Sequence, residues 1–156
     1  GAAGSLTGSG FTSLDLSAND RLDEAAIAAV ARALRGSQLR VLRLAGCRVS
    51  AHACGLLAAA MPPSQLTHLD LSANPFGDAG AWSLAWALAD AHKLCTLDLH
   101  NCEISNDGGD ELLDALRSDP AAHPLALRKL DLRGNRIAQA HDLKLDPRVN
   151  LLFQRA

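Results

Sequence analysis

Five charged residues occupy the same place in a recurring pattern. Asp15, Arg43, Asp70, Asp98 and Asp131 each sit between two leucines, in the strings LDL, LRL, LDL, LDL and LDL. Apolar–polar alternation is a strand signature, and alternate side chains share one face. Strands laid side by side, ~4.8 Å apart, stack these five residues into a column. Arg43, between Asp15 and Asp70, is expected to complete an alternating ion ladder. Asp70, Asp98 and Asp131 have no cation between them in the column. Neighbouring carboxylates repel, and a cationic guest relieves the repulsion. Arg128, Lys129 and Arg133 stand beside Asp131 and can supply part of that relief. The competing reading is a solvated face with no ligand. A basic peptide or helix is the guest that suits the column.

His68 and His100 are expected on the same face, flanking Asp70 and Asp98. A His/Asp/His metal site fails on distance. The two histidines are four residues apart in register, roughly 13 Å along the strand direction, whereas zinc ligands converge to about 2 Å of the metal. There is no G-x-S-x-G elbow and no Cys–His pair at a spacing suited to nucleophilic chemistry. SANPFGDAG and SNDGGDE contain glycines but no phosphate-loop Lys-Ser/Thr, so they read as turns. Cys47, Cys54, Cys95 and Cys102 form no CxxC or His–Cys zinc pattern and read as reduced, structural thiols. No catalytic residue, cofactor or metal is expected.

Trp82 and Trp86 are four apart in a helical stretch and share a face. Leu84 and Leu88 mark the buried side, and each lies about 200° around the helix from the tryptophan two residues before it. Both indoles are therefore expected to face outward. They either fold over a shallow groove left by Gly55 and Ala59 on the neighbouring helix, or stand as an exposed aromatic patch of the kind that marks protein contacts.

The elements that position these residues repeat. Units begin at Phe11 (FTSLDLSAND), Leu39 (LRVLRLAGCRV), Leu66 (LTHLDLSANPF), Leu94 (LCTLDLHNCEI) and Leu127 (LRKLDLRGNRI). Each holds a short strand, a turn and, in the first four, a helical stretch. The helices are expected over about 23–34, 51–60, 78–91 and 107–117. One unit cannot bury both of its apolar faces alone, so the units must stack. The ninth position reads Asn19, Cys47, Asn74, Cys102 and Asn135, an alternation of Asn and Cys. There the chain turns sharply, and a buried side chain must satisfy backbone groups. Asn both donates and accepts, while Cys is small and apolar.

The pattern LxxLxLxx(N/C) resembles the leucine-rich repeat, and its Asn/Cys alternation resembles the ribonuclease-inhibitor class, which includes the C-terminal repeats of NOD-like receptors. That resemblance implies an α/β fold, a right-handed solenoid or horseshoe of five repeats with a parallel sheet inside and helices outside. It implies binding through surface contact and no reaction. Ribonuclease inhibitor is longer and richer in cysteine, so its nuclease target is not carried over. RanGAP has similar repeats, which raises a GTPase-activating regulator as an alternative; the long arc and catalytic loop which that needs are not visible. A structural spacer in a large assembly is a further alternative.

The expected organisation is a Gly/Ser/Ala-rich tail (1–10), five repeats (11–38, 39–65, 66–93, 94–126 and 127–137) and a C-terminal cap (138–156). The fourth repeat is lengthened by a Pro-bearing insertion over 118–124. No polar cap precedes the first strand, which predicts that the natural protein continues upstream and that this chain is its C-terminal part. The composition is 48% hydrophobic but only 3% aromatic, so Leu and Ala must carry the core. A net charge of −2 offers no excess of Lys or Arg for phosphates and argues against non-specific nucleic-acid binding. No stretch is apolar for long enough to span a membrane. The sequence therefore predicts a cytoplasmic or nuclear protein-interaction module, its contacts drawn from Asp15, Arg43, His68, Asp70, Asp98, His100, Asp131, Trp82 and Trp86.

Overall fold

In a computed structural model, residues 10–117, 126–138 and 149–152 are described. Three-residue strands alternate with helices: β1 (Ser13–Asp15), α1 (Glu24–Leu34), β2 (Val41–Arg43), α2 (Ala51–Ala60), β3 (His68–Asp70), α3 (Gly77–Leu88), β4 (Thr96–Asp98), α4 (Asn106–Ala115), β5 (Lys129–Asp131) and β6 (Asn150–Leu152). All neighbouring strands pair in parallel, in chain order from β1 to β6. Parallel neighbours need a crossover, and α1 to α4 supply it between the first five strands. Each helix packs on the next, which makes the chain an α/β solenoid.

The leucines do the packing. Positions one, four and six of the middle units (Leu39, Leu42 and Leu44; Leu66, Leu69 and Leu71; Leu94, Leu97 and Leu99) are at most 2% exposed. The helices add Ile27, Leu34, Leu57, Leu84, Leu88 and Leu112 from their inner faces. The first unit is thinner, with Leu14 and Leu16 half-buried and Phe11 exposed.

Local chemistry sets the helix starts. Asp23, Ser50 and Ser105 cap α1, α2 and α4, each accepting a hydrogen bond from a backbone N–H of the first turn. Asp23 thus lies just outside the helix it was expected to begin. Cys54 lies inside α2, buried, with Sγ donating to the Gly80 carbonyl of α3. First-turn acids also bind the next helix. Glu24 accepts from Ser50 Oγ, and Asp78 accepts from both the N–H and the Oγ of Ser105. Against Asp78 sits Gly108, where an added Cβ would collide with that carboxylate.

The turns repeat as closely as the strands. Position eight takes a left-handed conformation in every unit, with φ of 57° at Ala18, 63° at Gly46, 54° at Ala73, 55° at Asn101 and 70° at Gly134. The Cys-type units add a second such residue after the cysteine, Arg48 and Glu103.

The sheet differs from the expected five strands. Asn150–Leu152 adds a sixth, because Leu151 falls in register with Leu130 and continues the apolar row. Apart from Ala138 and Val149, the remainder of the expected C-terminal cap lies outside the described residues, as do the 118–124 insertion and nearly all of the N-terminal tail. Among the described residues, no helix is long and apolar enough to cross a membrane.

Candidate functional site

The strand register places Asp15, Arg43, Asp70, Asp98 and Asp131 in one row across the sheet, ending at Leu152. His68 belongs to a different row, beside Val41 and Thr96. A shallow depression of about 160 Å³ brings Arg43, His68, Asp70 and Asp98 together, and Asp15, His100 and Asp131 lie outside it.

The expected ion ladder does not form. Arg43 stands between Asp15 and Asp70, but among the described residues it makes no ion pair within 4.0 Å. The aspartates turn instead to their own strand ends. Asp15 Oδ1 accepts from the N–H of Ser17, and Asp70 Oδ1 accepts from the N–H and Oγ of Ser72. Asp98 Oδ1 accepts from the N–H of His100 and lies 2.8 Å from its Nδ1. Asp131 accepts from the N–H of Arg133 and holds its guanidinium by both oxygens. Position five is thus served by position seven in four of the five units. A short carboxylate reaches the N–H two residues on more readily than a partner one strand away.

The Ser17 N–H, followed by the Ser17 hydroxyl, lowers the Asp15 carboxyl below its ordinary range. At Asp131 burial pushes the carboxyl up, but the hydrogen bonds and charge of Arg133 outweigh it and leave the group lowered. Asp98, His100 and Asp131 place one potential ligand atom each within 4.8 Å of one another. These are the residues that could hold a cation, although Arg133 already occupies Asp131 and His100 bonds Asp98.

The other candidate lies on the helices. Trp86 is 83% exposed and Trp82 48% exposed, so both indoles face outward. The nearest atom to a Cβ added at Gly55 of α2 is Ser83 Oγ, not an indole. The groove that forms lies on the α4 side, a trough of about 210 Å³ lined by Ala85, Trp86, Ala89, Glu111, Asp114 and Ala115. The small side chains of both helices leave the space, and Trp86 walls it.

Two participants lacked a clear sequence signal. Arg133 is one of three basic residues expected to relieve Asp131, and the spacing along the chain does not single it out; a long basic residue two positions after the Asp is the cue. Glu111 enters the groove from α4, and its only signal is its place on the helix following the tryptophans.

A family model for "Leucine Rich repeat" matches residues 64–85. Human "NACHT, LRR and PYD domains-containing protein 7" is 39% identical over 81% of this chain and 13% of that protein. Mouse "Ribonuclease inhibitor" is 34% identical over 79% of this chain and 28% of that protein. The chain thus spans well under a third of these relatives. The solved structure of "Leiomodin-1 Actin-Binding Site 2 (ABS2)" superposes with a TM-score of 0.71 over 83% of this chain and 72% of that one. At 21% identity, that likeness is one of fold.

Proposed function

Because this chain is a leucine-rich repeat protein of the ribonuclease-inhibitor type, we propose that it is a non-catalytic module that binds another protein, chiefly through the outer face of α3. The observation that carries this reading is the exposure of Trp86 and Trp82 on one face of α3, at 83% and 48%. Tryptophan is costly to leave in water and is enriched where protein interfaces concentrate their binding energy. The inner column supports a secondary role. Its aspartates serve their own turns first, which leaves Arg43, with His68 of the adjacent row, as the contacts that face offers. The buried thiols of Cys47, Cys54 and Cys102 suit a reducing compartment, in keeping with a cytoplasmic or nuclear setting.

The test compares three baits in lysate with mass-spectrometric readout: the wild type, Trp82→Ala/Trp86→Ala and Arg43→Ala/His68→Ala. A partner lost from the tryptophan variant alone, with thermal unfolding unchanged, supports the reading. Loss only from the Arg43/His68 variant moves the site to the inner face. Identical recovery by all three baits removes both surfaces from consideration.

A further inference from the structure

The groove beside Trp86 has a chemistry of its own. Half of its lining is small and apolar: Ala85, Ala89 and Ala115. Trp86 lines it from α3, and Glu111 and Asp114 line it from α4. An indole face attracts a cation through its quadrupole, most strongly among the aromatic side chains. A carboxylate from the neighbouring helix completes a bracket for a positive group whose stem is apolar, which describes arginine and lysine.

The surrounding charge points the same way. α3 and α4 carry Asp78, Asp107, Asp110, Glu111 and Asp114, and neither helix contains a Lys or Arg. Asp78 is spent on the cap of α4. Asp114 already receives a guanidinium from Arg117, one turn on, at 2.8 Å. That pair leaves Glu111 as the carboxylate of the groove that makes no ion pair among the described residues. The insertion over 118–124, which follows α4 in sequence, contains no Lys or Arg.

We propose that the groove between Trp86 and Glu111 takes an arginine or lysine side chain from a basic segment of a protein partner. The cation stacks on the Trp86 indole and pairs with Glu111, while its methylene stem lies on the alanines. The inference rests on the interaction role proposed above and names the chemistry of the partner at that face.

The test uses an octapeptide of alternating arginine and alanine, alongside its counterpart with citrulline, which keeps the shape and removes the charge. Trp82 and Trp86 are the chain's two tryptophans, so their indole N–H signals in a 15N spectrum report this surface directly. The arginine peptide is expected to shift both signals saturably, and the citrulline peptide to bind about tenfold more weakly. Glu111→Gln is expected to weaken the arginine peptide about threefold to tenfold and to flatten its salt dependence. Trp86→Ala, followed through the Trp82 signal, is expected to abolish saturation. Equal binding of the two peptides, or no loss in Glu111→Gln, overturns the proposal. So does a response confined to Asp70 and Asp98 on the inner face. A lysate partner that needs the tryptophans but tolerates Glu111→Gln keeps the interaction role and removes the cation. Saturable peptide binding at Trp86 with identical lysate recovery by all baits keeps the groove and removes the role.

Discussion

Asn74 Oδ1 accepts the backbone N–H of Cys47, one repeat upstream, at 2.9 Å. The same oxygen accepts the N–H of Val49, and Nδ2 donates to the carbonyls of Leu44, Leu71 and Ser72. Asn135 repeats the arrangement on Cys102 and Ile104. In return the thiols of Cys47 and Cys102 donate to Leu16 and Leu71, one further unit back. The Asn/Cys alternation is therefore a clasp between consecutive turns, with asparagine reaching across and cysteine filling the space it leaves. Asn19, at the first turn, is exposed, and among the described residues its side chain makes no such contact.

Removing the clasp should be costly. Asn74 is fully buried, so Asn74→Ala leaves two amide donors and the carbonyls it served without partners. We expect a loss of about 3–5 kcal/mol in urea denaturation. Asn19→Ala should stay within about 0.5 kcal/mol of the wild type. Equal losses at the two sites would show that the clasp is not what stabilises the turn.

The left-handed position eight makes opposite predictions for two residues. Ala73 holds φ of 54°, which strains any residue with a Cβ, so Ala73→Gly should gain about 0.5 kcal/mol after the added chain entropy is subtracted. Gly134 holds φ of 70°, and an added Cβ collides with the Asn101 side chain, so Gly134→Ala should cost about 2 kcal/mol. Urea midpoints for the two variants, moving in opposite directions, are the check.

Asp131 links the fold to pH. Its carboxyl is lowered in the folded state, so its contribution is present above the unfolded value of about 3.9 and is lost as the pH falls through the folded value. Arg133→Ala removes the paired guanidinium. Acid unfolding should begin at a higher pH in that variant, and the stability difference seen at pH 7 should shrink as Asp131 is protonated. A difference that is constant from pH 7 to pH 2 would assign Arg133 a packing role instead.

The thiols should separate by reactivity. Burial pushes Cys54 up to about 12, with Cys102 adding to it, and burial with Asp98 and Asp70 pushes Cys102 up to about 12 against opposing hydrogen bonds. Cys95 is half-exposed. Iodoacetamide on the native protein should label Cys95 first, leaving Cys54 and Cys102 until denaturant is added. Early labelling of Cys54, mapped by peptide mass, would mean that α2 and α3 separate under native conditions.

The repeat made most of the architecture readable from residues alone. Leucine at positions one, four and six can only face inward, and the helical stretches between the strands supply the crossovers that a parallel sheet requires. The outward direction of Trp82 and Trp86 followed from their angle to Leu84 and Leu88. The sixth strand was missed because 138–156 lacks the repeat, and only its pairing with β5 shows that Leu151 continues the row.

The order of strands, the inward leucines and the charged row were determined by the sequence itself, because each depends on periodicity, a local property of the chain. What the charged and aromatic side chains do was decided by tertiary structure. Asp70 lies one strand from Arg43, yet it bonds Ser72, since a side chain takes the donor that its own turn holds in place. Trp86 lines a groove only because α4 brings Glu111 and small side chains beside it, and helix-to-helix placement is a distance that no spacing along one helix encodes.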